Sequence, residues 1–492
     1  MEEGKHFFKS DIGKAISSGY FLFFLNNVFA LFLTPYILKF VSKEEYGLYV
    51  LCSDFLAWMI FLEFGSSKVI ESKAGHLLAV NNETGIIKAF NSALFFQFFM
   101  AILIVPIFYI LVTTGLKNDI PNFRIIIVVF SFSAGLSVIR SIFSAMLIAS
   151  RKIHIDNKIQ AFINVMNYGL ILLLVPYLGV WGLAGISFLV ALLILLRSYK
   201  RVIYLFPYLH VSPKNFSRAE LKIILSQGIY FSIASIATLL ITKFDSFFLG
   251  KTFSLETVAK FYISIKLFAI AEKLFSTLVN NIRPYISKFY GQKSIAKIVT
   301  FYNLAIPVLI GLSFLLFSIL ILINETFIQL WVGKGFFIGQ KFIVLFGIYT
   351  VLNIISLPAR IVLTSTLYKL RIHTLLRILE GGLRLLIILI FIENSKIFVL
   401  PLSSVISSFL FGFLSLHLII KSFFKKFSIE IEHNYFYLLL TTLVLIVSDE
   451  FLFDLYYTPF ILLALGGMVA LHFYLYNRKK MMDFMHLLKT DS

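Results

Sequence analysis

Cysteine is all but missing from this chain. Cys52 stands alone in 492 residues, so neither an intrachain disulfide nor a cysteine metal cluster can form, and redox chemistry is excluded as the core activity. Charge is scarce as well, at 14% of residues against roughly 25% in soluble domains. No G-x-x-x-x-G-K-[ST] loop is present, which argues against ATP hydrolysis. The nine His residues are scattered, without an H-E-x-x-H pair, and no G-x-S-x-G elbow occurs. The sequence calls for no cofactor, no metal and no catalytic group.

What is present is apolar. Hydrophobic side chains make up 59% of the chain, and the mean hydropathy is +0.91, the composition of a membrane protein. The formal net charge of +19 comes from 44 Lys and Arg against 25 Asp and Glu. These cations sit between apolar runs rather than in blocks, so nucleic acid is excluded as a partner. The first 14 residues mix Glu2 and Glu3 with Lys5, Lys9 and Lys14, and the run that follows ends in Thr34, Pro35 and Tyr36 without a small-residue cleavage pattern. A retained first span is expected, not a signal peptide.

A helix needs about 20 mostly apolar residues to cross a hydrocarbon core of roughly 30 Å. By that rule fourteen stretches qualify: 16–38, 48–66, 89–112, 125–149, 159–178, 181–205, 221–250, 258–282, 298–323, 342–365, 372–392, 397–420, 435–448 and 457–476. Alternate connections hold 29 Lys and Arg when counted from the N-terminus, the opposite ones hold 9, and 6 lie within spans. Cytoplasmic loops are the cation-rich ones, so both termini are expected in the cytoplasm. The connection at 206–220, with Pro207 and Pro213, resembles a joint between halves. Phe40 and Tyr49 are spaced like Phe253 and Tyr262 at equivalent points of the two halves, as in a repeat-built transporter. The expected organisation is a six-helix bundle at 1–205, a linker at 206–220, a second bundle at 221–421, and two extra helices with a tail at 422–492.

The six intramembrane cations are Arg140, Lys243, Lys266, Lys273, Arg360 and Arg384. Each costs roughly 2.5–3.5 kcal/mol at a lipid-facing helix centre, so most must find a counter-ion, a wet cavity or the interface. Tyr262, Lys266, Lys273, Thr277 and Asn280 recur along one helical stripe, the pattern of a cavity face. Ser235, Thr238, Thr242 and Asp245 form a second stripe, and Ser17, Tyr20, Asn27 and Thr34 a third. Hydroxyls that glue helices together account for the last two equally well. Ser133, Ser137, Arg140 and Ser144 share a face and make Arg140 a second candidate for the wall of a lumen. Arg384 is either lumenal or neutralised by Glu380 four residues earlier. Arg360, after Pro358, fits snorkelling, and Lys243 fits pairing with Asp245 or the outer interface. Asp54 has no cation within one helical turn, while Glu63 lies near the inner end of its span and Glu272 beside Lys273. Asp54 and Asp245 are the candidates for coupling transport to an ion, with structural pairing the competing role. The outer acids Asp449, Glu450 and Asp454 are most simply solvated loop residues.

KEEYGLY at 43–49, followed by Glu63, Phe64 and Gly65, resembles the second-helix region of Wzx-type polysaccharide flippases, members of the multidrug/oligosaccharidyl-lipid/polysaccharide (MOP) exporter superfamily. ASRKIHIDN at 149–157, PYLGVWGLAG at 176–185, DSFFLG at 245–250 with Phe261 and Tyr262, and the Arg283, Pro284, Tyr285 triplet are similar to further segments of that family. The resemblance implies an all-α polytopic protein of about 14 transmembrane helices, with two six-helix bundles around a central cavity plus two C-terminal helices. It also implies a bacterial inner membrane location and alternating access without ATP. The implied substrate is an undecaprenyl-pyrophosphate-linked oligosaccharide, such as an O-antigen unit of lipopolysaccharide, moved to the periplasmic leaflet beside other polysaccharide-assembly proteins. Lys266, Lys273, Arg140 and Arg384 would then meet the pyrophosphate, with Tyr262, Asn27 and Thr242 as lumenal polar groups. The alternatives are a teichuronic-acid-precursor or drug exporter of the same superfamily, which for a drug cation should prefer lumenal acids. A membrane-embedded polymerase or acyltransferase would need a larger outer surface than these short loops provide.

Cysteines placed at Asn215 and at Lys334 test the orientation in intact cells with an impermeant maleimide. Labelling is expected at 334 and not at 215, and the reverse pattern would overturn the cation-derived topology.

Overall fold

A computed structural model describes residues 11–58, 62–115, 123–150, 152–280, 282, 286, 289–290, 292–366, 370–427, 457 and 459–469. Every extended element among them is helical, and six helical stretches are long and apolar enough to cross a membrane. The protein is an all-α polytopic membrane protein. The expected span at 435–448, the acids Asp449, Glu450 and Asp454, and the Arg283, Pro284, Tyr285 triplet lie outside the described residues. Of the last expected span, Pro459–Val469 is described, as helix.

Contacts divide the chain into two compact units, Met1–Ala259 and Lys260–Ser492. The first unit contains α1 (Asp11–Ile37), α2 (Lys43–Trp58), α3 (Ser66–Ala79), α4 (Glu83–Gly115), α5 (Phe123–Ala149), α6 (Ile153–Leu205), α7 (Arg218–Thr242) and α8 (Asp245–Thr252). Helix α9 (Leu255–Ser264) straddles the division. The second unit contains α10 (Lys266–Asn280), α11 (Ile295–Trp331), α12 (Gln340–Ile355), α13 (Leu357–Thr366), α14 (Leu370–Ser395), α15 (Val399–Ser407), a π-helical segment (Ser408–Leu414) and α16 (Ser415–Lys425).

Several expected spans are broken rather than continuous. In the stretch at 48–66, helix is described as far as Trp58, and Phe64 and Gly65 take left-handed conformations, φ 47° and 62°, before α3 starts. The Glu-Phe-Gly triplet is therefore a corner. At 53 residues, α6 would be about 80 Å long if straight, more than twice a bilayer core. Gly179, at φ 53° and ψ −134°, breaks it into two arms, a conformation that glycine adopts without a Cβ penalty. Residues 154–162 of one arm and 193–204 of the other line one cavity, so the arms run antiparallel and correspond to the two spans expected at 159–178 and 181–205. The span at 221–250 breaks at Lys243 and Phe244, between α7 and α8. The one at 258–282 breaks between Ser264 and Lys266, where Asn324 donates to the Ser264 carbonyl at 3.0 Å and the Ser264 hydroxyl meets the backbone of Phe336 and Ile338.

The core of the first unit lies between α3, α4, α5 and the end of α6, built from Ile70, Phe90, Leu94, Ile142, Phe143 and Met146. The connection after α6 is fastened to that core. Phe206 and Leu209 are buried in it, Asn91 holds the backbone of His210 and Ser212, and Ser92 holds that of Ser217. In the second unit an aromatic stack of Phe261, Phe268, Phe317, Phe342 and Phe346 binds α9 to α12, with centroids 5.5–6.5 Å apart.

Gly47, in the KEEYGLY segment, faces the Leu255 backbone so closely that a Cβ would overlap the Leu255 carbonyl, whereas nothing lies within 4 Å of a Cβ at Gly185. Gly47→Ala is expected to destabilise by about 1–3 kcal/mol, and Gly185→Ala to be neutral or slightly stabilising. Melting of the two variants in detergent checks this, and a Gly47→Ala curve matching the parent would refute the close approach.

Candidate functional site

Helix α10 has two faces of different chemistry. Phe268, Ala271, Phe275 and Val279 are buried, forming the stripe that docks on the second unit. At 100° per residue, Lys266, Lys273 and Thr277 fall on the opposite side. Lys273 is exposed and Lys266 half-buried. Thr277 donates back to the Lys273 carbonyl at 2.7 Å, so its hydroxyl is satisfied within the helix. Tyr262 stands one turn earlier on α9, half-buried and edge-on to Phe261. The side chain of Asn280 lies outside the described ones.

Behind the apolar stripe the second unit holds a buried polar cluster. Glu272, beside Lys273 in sequence but on a different helical face, accepts a hydrogen bond from Asn353 of α12. The Asn353 carbonyl oxygen accepts from Arg360 at 2.5 Å. Arg360 therefore does not snorkel: its guanidinium points into the unit, with Nε and Nη2 buried and without a hydrogen-bond partner. The expected i,i+4 pairing of Glu380 with Arg384 is replaced. Glu380 is 1% exposed and is held by Arg377 at 2.7 Å and by Ser408 at 2.7 Å. Arg384 is itself buried at 2% exposure.

In the first unit Arg140 is tied to Asp156 at 2.7 Å. Asp156 also accepts from Ser144 at 2.8 Å and from Gln160 at 2.9 Å, so both of its oxygens are occupied. Asp156 belongs to the ASRKIHIDN segment, and its importance was not visible without the helix-to-helix contact. A cavity of about 460 Å³ opens beside this pair, lined by Glu63, Ser67, Lys68, Arg140, Ser141 and Ser144 among others. Glu63 accepts from Ser67 at 2.6 Å.

Lys243 pairs at 2.7 Å with Asp54 of α2, 189 residues away, a partner that local spacing does not disclose. Asp54, which has no cation within one turn of its own helix, thus gains one across the fold, although its second carboxylate oxygen is buried without a hydrogen bond. Asp245 is buried at the first turn of α8. Asn27 donates to its own helix at Phe23, and the neighbouring Asn26 is the residue that links helices, accepting from Asn164 and Tyr168 of α6. Thr242 closes α7, and its side chain lies outside the described ones. Among the described residues no three His, Cys, Asp or Glu gather as a metal site.

No family model and no curated protein matches the sequence. Solved structures do match. The lipid II flippase MurJ in an inward closed conformation gives a TM-score of 0.68 at 14% identity, covering 94% of this chain and 98% of that one. An inward-facing multidrug resistance MATE family transporter of the MOP superfamily gives 0.64 at 14% identity, covering 82% and 95%. A MOP superfamily transporter from Pyrococcus furiosus gives 0.52 at 14% identity, covering 83% and 94%. The chain shares their fold.

The Arg140–Asp156 pair yields a stability test. Asp156→Ala strands a largely buried guanidinium, and removing one partner of such a pair costs on the order of 3–5 kcal/mol. A steep loss of folded protein on detergent extraction is expected, with the double variant Arg140→Met, Asp156→Leu recovering most of it. An unaffected Asp156→Ala would show that the pair does not hold α5 to α6.

Proposed function

We propose that this chain is a flippase that moves an undecaprenyl-pyrophosphate-linked oligosaccharide across the cytoplasmic membrane of a bacterium by alternating access, without enzymatic chemistry. The observation that carries the reading is the division of α10, which turns Lys266 and Lys273 away from the apolar stripe that docks its own unit. A Lys in a span that faces away from the apolar stripe docking its own helix belongs on a wet path, and two of them on one stripe favour an anionic passenger. Pyrophosphate supplies that charge, sugars fill the remaining aqueous space, and the prenyl tail stays in lipid.

Two further features support it. The match to MurJ runs over 94% of this chain, further than the 82% covered by the MATE transporter described above, in keeping with a lipid-linked passenger. A drug-cation exporter needs an acid on the path, and three buried carboxylates of the first unit are engaged: Asp54 by Lys243, Asp156 by Arg140, and Glu63 by Ser67. Arg140 and Arg384, held inside their units, then shape the protein more than they touch the passenger. Coupling to an ion gradient is assigned to Asp54, whose pairing with Lys243 joins α2 to the end of α7 and would weaken on protonation.

Reconstituted vesicles with a fluorescent undecaprenyl-pyrophosphate oligosaccharide test the reading. Lys266→Ala with Lys273→Ala is expected to lower the flipping rate at least tenfold, about 1.4 kcal/mol or more, with normal melting. Arg at both positions should restore part of the rate, because charge matters more than shape for a pyrophosphate. Full-rate flipping by the double-Ala protein would end the proposal.

A further inference from the structure

The two arms of α6 enclose, at the end where the helix begins and finishes, a cavity of about 830 Å³ remote from the α10 stripe in sequence. Its cations are Lys158 on the first arm and Arg197, Lys200 and Arg201 on the second, and all four are exposed. No carboxylate among its lining residues balances them, and no described acid forms an ion pair with any of the four. This differs from Arg140 and Lys243, which each hold an aspartate.

Two of the cations are positioned by aromatic rings. The Arg197 guanidinium lies over Phe162 at 4.4 Å from the centroid, and that of Arg201 over Tyr204 at 5.3 Å. Stacking occupies a guanidinium's face and leaves its N–H edge directed outward, the edge that matches phosphate oxygens in a bidentate fashion. Below the cations the wall turns apolar, with Ile159, Leu193 and Leu196. Further along the first arm Val165, Met166, Leu172 and Leu173 are exposed, so the apolar surface continues toward the Gly179 turn.

A phosphate-binding rim above a continuous apolar flank is the surface complement of a phospholipid. We propose that this groove binds the phosphate of an anionic phospholipid from the cytoplasmic leaflet, with the acyl chains laid along the exposed face of α6. The cation count of the connections places this end of α6 in the cytoplasm, where anionic headgroups meet basic pockets between helices. A polybasic contact contributes about 1 kcal/mol per cation, close to fivefold in affinity each.

The experiment uses the full chain in mixed micelles of dioleoylphosphatidylglycerol and dioleoylphosphatidylcholine, with bound lipid counted by native mass spectrometry. The parent protein is expected to retain phosphatidylglycerol in preference to phosphatidylcholine, and the preference should fall as salt rises. Arg197→Ala, Lys200→Ala and Arg201→Ala together should lower it by roughly two orders of magnitude, from fivefold at each position. Removing the same charge by Lys421→Ala, Lys425→Ala and Lys426→Ala should leave it in place. Inorganic phosphate at equal concentration should not displace the lipid. The proposal is overturned if the parent shows no preference, if both triple variants lose it equally, or if free phosphate competes as well as the lipid does. Should the first triple variant fail to fold, the salt dependence of the parent decides, since a preference insensitive to salt contradicts a phosphate held by these cations.

Discussion

A charge placed against hydrocarbon is stable only beside a counter-charge, a hydrogen-bonding partner or water, and the helix arrangement follows from how each ionised side chain meets that condition. Arg140 meets it through Asp156, which fastens α5 to α6. Lys243 meets it through Asp54, which fastens the end of α7 to α2. In the second unit Glu272, Asn353 and Arg360 run in a chain from α10 through α12 to α13, and Arg377, Glu380 and Ser408 join α14 to the π-helical segment. Each polar link ties together helices whose remaining contacts are apolar and weakly specific. Lateral packing alone would leave such helices free to slide, because lipid tails are as apolar as leucine.

The same condition explains how much of the fold the sequence discloses. Most spans are visible because length and hydropathy are local properties, and α4, α5 and α11 contain the stretches expected for them. Breaks are less visible, since they depend on partners elsewhere. Nothing around Ser264 signals an interruption until Asn324 takes its carbonyl. Asp54 reads as an isolated acid because its cation is 189 residues away. The spacing of Glu380 and Arg384 offers a pair at i,i+4, yet Arg377 at i−3 takes the carboxylate. Gly179 is an intermediate case: the spans expected at 159–178 and 181–205 already separate the two arms, and the structure adds the positive φ at which the chain turns between them.

For the candidate site, helical periodicity succeeds where the residues share an uninterrupted helix. Lys266, Lys273 and Thr277 fall on one face because α10 runs unbroken through them. Asn27 and Asn26 show the limit of the method: a one-residue difference decides which amide points along its own helix and which crosses to Asn164 and Tyr168. Periodicity assigns a stripe about 100° wide and does not resolve neighbours at its edge.

The π-helical segment at 408–414 is the place where polar pairing and backbone geometry meet most directly. A π turn widens the helix and shifts the register of every residue after it by comparison with an α-helix. Ser408 opens that segment and holds Glu380, and four residues later Gly412 faces both the same carboxylate oxygen, 3.2 Å from where a Cβ would sit, and Arg360 Nη2, at 3.5 Å. Any larger residue at 412 would press on an acid and a base at once. The widened turn and the missing side chain therefore serve one end, which is to bring the last helices of the second unit against a buried acid and base from two other helices without placing bulk between the charges.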